Sequence, residues 1–469
     1  MKIKNITCIG AGYVGGPTMA VIALKCPEIK VTVVDIDIDK IKAWNGPLKN
    51  LPVFEPGLSE IIEVTRNKNL FFTSDIKQSI NESDMIFMAV NTPTKETGEG
   101  AGMASDLKYV IESSKMIAEN SQSDKIIIEK STLPVRTAEK IKEIVNENSR
   151  GIKFEILSNP EFLAEGTAIQ DLFKSDRVLI GSDQTESGIK AADKLSEIYE
   201  RWIPKEKILR SNIWSSELSK LASNAMLAQR ISSINSLSAL CSETGADIDE
   251  VSKAIGMDHR IGGHFLKVSP GFGGSCFKKD ILNLVYLCQF YGLDDVAEYW
   301  HGVVKINDHQ QKRITEIIQN YFIKHSLEKK ISILGWAFKK NTNDSRESAS
   351  IYVSTNLLME GAILNIFDPK VDSLKIIKDI ENTLENNGKS KSQISKIVAS
   401  QVIINREVQS TFDKSHAILI LTEWDIFTKI DWSRAFNEME KPAFIFDGRR
   451  IIDSVELEKI GFVVYKLGT

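Results

Sequence analysis

Ile3-Lys-Asn-Ile-Thr-Cys-Ile9 runs into Gly10-Ala11-Gly12-Tyr13-Val14-Gly15, and Val31-Thr-Val-Val-Asp35 follows one short helix later. The first and last of these segments are rich in β-formers and read as strands; residues 17–25 between them read as a helix. Strand, glycine turn, helix and strand make a βαβ unit, the building block of a parallel sheet. The glycines have the GxGxxG spacing. The first permits a tight turn, the second a close approach of backbone to pyrophosphate, the third close helix–strand packing. Asp35 ends the second strand 20 residues after Gly15, where an acid accepts from a ribose 2′-OH and repels a 2′-phosphate. The pattern predicts a site for NAD built from Gly10, Ala11, Gly12, Tyr13, Val14, Gly15 and Asp35. Lys40, close by, could reach a phosphate and weighs against that preference.

Working outward, buried-strand patterns recur at Leu70–Thr73, 85–90, Lys125–Glu129, Phe154–Ser158 and 177–180, with helical patterns between most of them. Such alternation predicts a parallel, doubly wound sheet over roughly the first 210 residues. Ile213–Thr244 then holds neither Gly nor Pro, and its apolar residues keep helical spacing. A helix of that length spans about 45 Å and suits a domain bridge or an oligomer seam. The βαβ pattern returns at Lys330–Leu334, 347–359 and 364–368, with further strands at 417–421 and 443–446. Residues 372–409 have no clean periodicity and read as surface helix and loop. The expected fold is α/β: two Rossmann-like doubly wound domains joined by a helical core with a long central helix. The expected boundaries are 1–212, 213–325 and 326–469.

The 469 residues carry a net charge of −4, with 42% hydrophobic and 26% charged side chains. That balance argues against a nucleic-acid-wrapping surface. The cysteines (Cys8, Cys26, Cys241, Cys276, Cys288) are odd in number and far apart, without CxxC or a Cys/His cluster. Neither a disulfide framework nor a metal site is expected, and a cytoplasmic location fits. No run reaches the ~18 apolar residues of a membrane span. The first 24 residues superficially mimic a signal peptide, but four glycines interrupt them and another strand follows.

Chemistry concentrates in Gly271-Phe272-Gly273-Gly274-Ser275-Cys276-Phe277-Lys278-Lys279-Asp280. A helical pattern begins here, and a start near Ser275 would put Cys276 and Asp280 on one face of its first turn. A helix N-terminus favours thiolate, so Cys276 is a candidate nucleophile, against the alternative of a small packing residue. Lys220 and Asn224 lie one turn apart in the long helix. They are either a solvated face or, if buried, a cationic and a neutral oxyanion donor. Glu161 and Glu165 follow a strand's carboxyl end, where α/β sheets bind ligands.

These motifs join others in order: Phe54-Glu-Pro-Gly-Leu58, Val90-Asn-Thr-Pro-Thr94, Glu129-Lys-Ser-Thr132, Ser158-Asn-Pro-Glu-Phe-Leu-Ala-Glu-Gly166, Trp214-Ser-Ser-Glu-Leu-Ser-Lys220, Phe338-Lys339, Asp344-Ser-Arg-Glu-Ser348 and Phe446-Asp-Gly-Arg-Arg450. Together they resemble the UDP-glucose/GDP-mannose dehydrogenase family, in its animal-type branch, from Ile6 to about Ile452. The resemblance implies NAD-dependent four-electron oxidation of UDP-glucose to UDP-glucuronate through a Cys276 thiohemiacetal and thioester. It implies that Lys220 and Asn224 stabilise oxyanions, that Asp280 orients a water, and that Glu161 assists thioester hydrolysis. Which carboxylate handles which proton stays open. Cofactor contacts are implied for Val90, Asn91, Thr92, Ser131, Thr132, Glu165 and Arg346. Nucleotide-sugar contacts are implied for Glu161, Phe162, Leu163, Ala164, Glu165, Lys220, Asn224, Lys267, Val268, Ser269, Pro270, Gly271, Phe272, Gly273, Phe338, Lys339 and Arg449. Arg260 matches an arginine offered across a dimer, and the branch implies dimer units building a hexamer. The competing readings are a sister enzyme acting on another hexose, an ordinary two-electron dehydrogenase, and a nucleotide-sugar sensor on a retained fold.

Overall fold

The computed structural model describes residues 2–149, 151–325 and 329–469. The chain forms two compact units, one of Met1–Ser223 with Leu282–Leu293, the other of Asn224–Ile281 with Asp294–Thr469. In the first, eight strands form one sheet: β1 (Asn5–Ile9), β2 (Lys30–Val34), β3 (Leu70–Thr73), β4 (Met85–Met88), β5 (Lys125–Glu129), β6 (Phe154–Ser158), β7 (Val178–Ser182) and β8 (Ile208–Asn212). Their order is β3-β2-β1-β4-β5-β6-β7-β8. Ile6 of β1 pairs with Val31 on one side and Met85 on the other, both parallel. Both faces are covered. Val31 and Val33 point into one apolar layer with Ile6 and Cys8, and Val34 into the other with Ile9. Burial on both faces explains why these strands read as unbroken apolar runs. The order reverses between β1 and β4, which opens a crevice at their carboxyl ends.

One expectation fails. β6 and β7 pair antiparallel, Leu157 opposite Ser182 and Ser158 opposite Gly181. The helix between them, Ala168–Phe173, has 6 residues. It spans about 9 Å, short of the roughly 17 Å of a five-residue strand that a parallel crossover must retrace.

The second unit carries β9 (Lys330–Leu334), β10 (Ile363–Phe367), β11 (Val402–Ile404), β12 (Ala417–Ile420), β13 (Phe444–Asp447) and β14 (Val463–Lys466). Their order, β11-β10-β9-β12-β13-β14, repeats the same plan, and every pair is parallel. Residues 372–409 hold two helices, Ser373–Asn386 and Lys391–Gln401, and the edge strand β11.

Five helices matter below: α1 (Gly15–Lys25), α2 (Thr137–Asn148), α3 (Ile213–Thr244), α4 (Phe277–Phe290) and α5 (Asp294–His325). The long helix α3 has the bounds its composition predicts, and α5 matches it at 32 residues. Four cysteines are buried and Cys276 is exposed. Burial pushes the Cys8 thiol up to about 12, as suits a packing residue.

Candidate functional site

In the first unit, Gly10, Gly12 and Gly15 are each glycine for a different reason. Gly10 has φ +110, and a Cβ there would lie 2.3 Å from the Ala89 carbonyl oxygen. A Cβ on Gly15 would lie 2.0 Å from the Gly10 oxygen, closing the turn against α1. At Gly12 nothing stands within 4 Å of the missing Cβ, so this side of the turn is an open cradle before a helix N-terminus. Pyrophosphate fits such a cradle. Tyr13 packs on the core and Val14 is the α1 N-cap residue.

Asp35 stands at the end of β2. Its carboxylate accepts the Ala11 N–H at 2.9 Å, the Asp37 N–H at 3.0 Å and the Lys40 ammonium at 3.0 Å. Burial pushes this carboxyl up, but the two N–H bonds and Lys40 outweigh it and hold it below the usual range. Lys40 is therefore engaged by Asp35. Replacing Asp35→Asn should cost NAD affinity about ten- to hundredfold, the 1.5–3 kcal/mol of a hydrogen bond to a charged group. The same change should narrow the gap to NADP. The KM for NAD measures the first effect and the ratio of KM values for the two dinucleotides the second.

The carboxyl ends of β4 and β5 bring the next predicted group together. The Ser131 hydroxyl donates to the Val90 carbonyl at 2.6 Å and the Thr92 hydroxyl to the Thr132 carbonyl at 3.2 Å, with Asn91 exposed between. Beside them lies a buried network that sequence reasoning missed. The Lys130 ammonium, 3% exposed, contacts Glu161 at 2.8 Å, Asn159 at 3.1 Å and the Tyr199 hydroxyl at 3.3 Å. Tyr199 in turn donates to Asn159 at 2.7 Å. The second Glu161 oxygen accepts the N–H groups of Phe162 and Leu163 at 2.9 and 3.2 Å. Burial pushes the Glu161 carboxyl up, yet the Lys130 ammonium more than offsets this and holds it below the usual carboxylate range. Glu161 is thus a fixed carboxylate. The visible signal was the Glu129-Lys130 pair directly after the apolar run 126–128.

The rest of this loop is held from below. Glu55 accepts the N–H groups of Gly166 and Ala168 at 2.7 and 3.2 Å, and Asp171 accepts that of Ala164 at 2.9 Å. Glu165 is half-buried. The Phe162 ring lies under the Arg177 guanidinium and 5.2 Å from the Lys220 ammonium. Lys220 is 8% exposed and Asn224, one turn further along α3, 5%. The solvated-face alternative is excluded for both. A buried acid pair anchors α2: Glu217 accepts the N–H groups of Arg136 and Ala138, at 2.7 and 2.8 Å, and Glu129 lies fully buried against it. Burial and the neighbouring Glu217 push the Glu129 carboxyl well up.

In the second unit, α4 begins at Phe277, two residues after the expected start. Cys276 is its N-cap: the Asp280 N–H donates to the Cys276 carbonyl at 2.9 Å. Cys276 Sγ lies 3.5 Å from the Ser275 hydroxyl. Asp280, 1% exposed, receives the Asn224 amide at 2.6 Å on one oxygen and the Lys279 ammonium at 3.2 Å on the other. The predicted carboxylate is therefore fixed and charge-compensated one turn from the thiol.

The loop leading to the cysteine is threaded through a tight frame. Ser269 donates its N–H to Asn235 at 3.0 Å, and its carbonyl accepts Gln310 at 3.0 Å. Phe272 exchanges two bonds with Asn307, at 2.7 and 3.3 Å. A Cβ on Gly273 would fall 2.5 Å from the Glu347 oxygen and 2.8 Å from Phe338 Cβ. Leu266, Val268 and Phe272 are buried around Lys267, Pro270 and Gly271. Arg449 donates to the carbonyls of Leu421 and Phe338, at 2.7 and 2.9 Å, and pairs with Glu423 at 3.2 Å. Lys339 stands over the Phe338 ring at 5.7 Å. Arg346 makes a bidentate pair with Asp344. Arg260 differs from the others: its side chain is 78% exposed and pairs with Asp258 at 2.6 Å.

Profiles of one family match three consecutive blocks of the chain: its NAD binding domain over residues 4–203, its central domain over 214–309 and its UDP binding domain over 332–454. The chain belongs to the UDP-glucose/GDP-mannose dehydrogenase family. UDP-glucose 6-dehydrogenase 3 of Arabidopsis thaliana is 53% identical over 466 residues, spanning 99% of this chain and 97% of its own length. UDP-glucose 6-dehydrogenase of Mus musculus is 54% identical over 471 residues, spanning 100% and 94%. Plant and animal relatives thus match this dehydrogenase alike. The structure of a UDP-glucose dehydrogenase from the archaeon Pyrobaculum islandicum superposes with a TM-score of 0.82 at 26% identity, covering 99% of this chain and 98% of that one. The dehydrogenase uses NAD, bound by its N-terminal domain. Among the described residues no helix is long and apolar enough to cross a membrane.

Proposed function

We propose that this chain oxidises UDP-glucose to UDP-glucuronate by way of covalent adducts on Cys276. The observation that carries the reading is the start of α4, an exposed cysteine at a helix N-terminus with a buried, charge-compensated Asp280 one turn on. The glycine turn and Asp35 would hold NAD, which would supply the hydride acceptor for each of two oxidations. Lys220 and Asn224, buried on one stripe of α3, offset negative charge that develops on O6. Cys276 Sγ bonds to C6 of the aldehyde left by the first oxidation, giving a thiohemiacetal. Loss of hydride from that carbon leaves a thioester. Water then adds, the C–S bond breaks and the thiolate returns. One UDP-glucose and one water yield UDP-glucuronate, two hydrides and three protons. Glu161, fixed as a carboxylate, is suited to take a proton from the attacking water, and Asp280 to orient it.

Val90, Asn91, Thr92, Ser131, Thr132, Glu165 and Arg346 complete the cofactor contacts in this reading. Residues 162–165 and 267–273 with Phe338, Lys339 and Arg449 hold the nucleotide sugar. The division at 212/213 and 325/326 is retained, supported by the three consecutive family blocks. Dimer units building a hexamer, with Arg260 offered across the dimer, are supported by exposed apolar side chains such as Met226, Leu240 and Tyr299. The protein works in the cytoplasm. Limiting UDP-glucose with excess NAD should give two NADH per sugar. One per sugar would indicate an ordinary two-electron dehydrogenase. None with UDP-glucose, but turnover of another sugar nucleotide, would indicate a sister enzyme.

A further inference from the structure

Two residues beside the cysteine loop break local rules. Lys278 puts a cation in the first turn of α4, the end of a helix where the backbone dipole disfavours it. Glu347 has φ +53, left-handed backbone that a non-glycine residue adopts at a cost. The two meet, Lys278 Nζ to Glu347 Oε2 at 3.1 Å. Tyr352 donates its hydroxyl to the same carboxylate oxygen at 2.6 Å, and its ring lies 5.4 Å from the Lys278 ammonium. The contact is doubled through the backbone. The Gly274 N–H donates to the Arg346 carbonyl at 2.8 Å, and Gly273 is glycine because the Glu347 carbonyl leaves no room for a Cβ. Cys276 therefore sits between two points, Gly274 and Lys278, both fastened to the same two-residue segment.

Lys278 is 28% and Glu347 39% exposed. An ion pair this open to water is screened and contributes little to stability. Misplaced charge and strained backbone kept for so small a gain point to geometry as the function of the pair. We propose that Lys278, Glu347 and Tyr352 are positioning residues that hold Cys276 where its sulfur captures the aldehyde before the aldehyde escapes. The inference rests on the reading that Cys276 is the nucleophile. Capture forms a C–S bond, and the carbonyl π pair becomes an oxyanion that takes up a proton. An aldehyde that escapes adds water or condenses with an external amine, releasing water. Near-attack placement of the sulfur decides which path is faster.

The test counts NADH per limiting UDP-glucose with excess NAD and semicarbazide present as aldehyde trap. Wild type should give two NADH and no semicarbazone. Glu347→Gln and Lys278→Gln should each fall toward one NADH, with the missing equivalents recovered as semicarbazone. The charge swap Lys278→Glu/Glu347→Lys should move the count back toward two. A variant that is merely less folded loses active enzyme and keeps the count at two, so a count of two in both single variants overturns the proposal at any residual rate. Failure of the swap to restore coupling overturns the ion pair as the cause. The reading beneath it is checked apart from this, since Cys276→Ala giving two NADH would remove the nucleophile while the single variants address only its placement.

Discussion

Cys276→Ala should stop the reaction after the first hydride, with at most one NADH per UDP-glucose and overall turnover down on the order of 10³-fold or more. The thiolate does two things that water cannot replace. It converts the aldehyde into a tetrahedral adduct whose C–H bond is ready to give up a hydride, and it holds that carbon in place between the two oxidations. Placement at the N-cap of α4 supports the charged form of sulfur by the helix dipole, and the Asp280 charge is already compensated by Lys279 and hydrogen-bonded by Asn224. Cys276→Ser separates the two contributions. Serine keeps the position, but its hydroxyl is a far weaker nucleophile, and an ester on it hydrolyses more slowly than a thioester. Intact-protein mass during turnover should then show a sugar-nucleotide adduct on the serine variant and none on the alanine variant. Two NADH per sugar at an undiminished rate from Cys276→Ala would remove the residue from the chemistry.

How much of this was readable from residue order depends on the distance over which each feature is determined. The glycine turn, Asp35 and the boundaries of α3 are set by neighbours a few residues away, and they were legible. β5, at Lys125–Glu129, was legible because both of its faces are buried. β11 was not, because a three-residue edge strand buries little and presents no alternation. The antiparallel turn of β7 escaped notice because it follows from the length of the helix at Ala168–Phe173 rather than from any residue in the strand. In the site, Cys276, Lys220 and Glu161 stood out by type and motif. What holds them did not. Lys130, Tyr199 and Asn159 come from three separate segments, as do Lys278 and Glu347, and only folding brings them within hydrogen-bond reach.

Lys130→Met should be the most damaging change outside the reacting groups. It deletes one partner of a buried pair and leaves the Glu161 carboxylate, 15% exposed, without its cation. Breaking such a pair costs about 3–5 kcal/mol. The pH dependence of stability should shift. In the wild type the Glu161 carboxyl lies below its ordinary value, so its contribution to stability is present above the unfolded value of about 4.3 and is lost as pH falls through the folded one. Without Lys130, only the Phe162 and Leu163 N–H groups and the Lys220 ammonium oppose burial, so the carboxyl rises from its wild-type position. The variant's deficit should therefore be small near pH 4 and grow as pH rises. Hydrogen exchange over residues 154–166 measures it locally, which suits a chain of two units better than a global melt. Lys130→Met/Glu161→Gln should recover part of the loss, because it removes both charges instead of stranding one. The same shift should carry the acid limb of the pH–rate profile upward in Lys130→Met, since a protonated Glu161 cannot take a proton from water. An acid limb that stays in place while stability falls would leave Lys130 as a core anchor and take Glu161 out of the hydrolytic step.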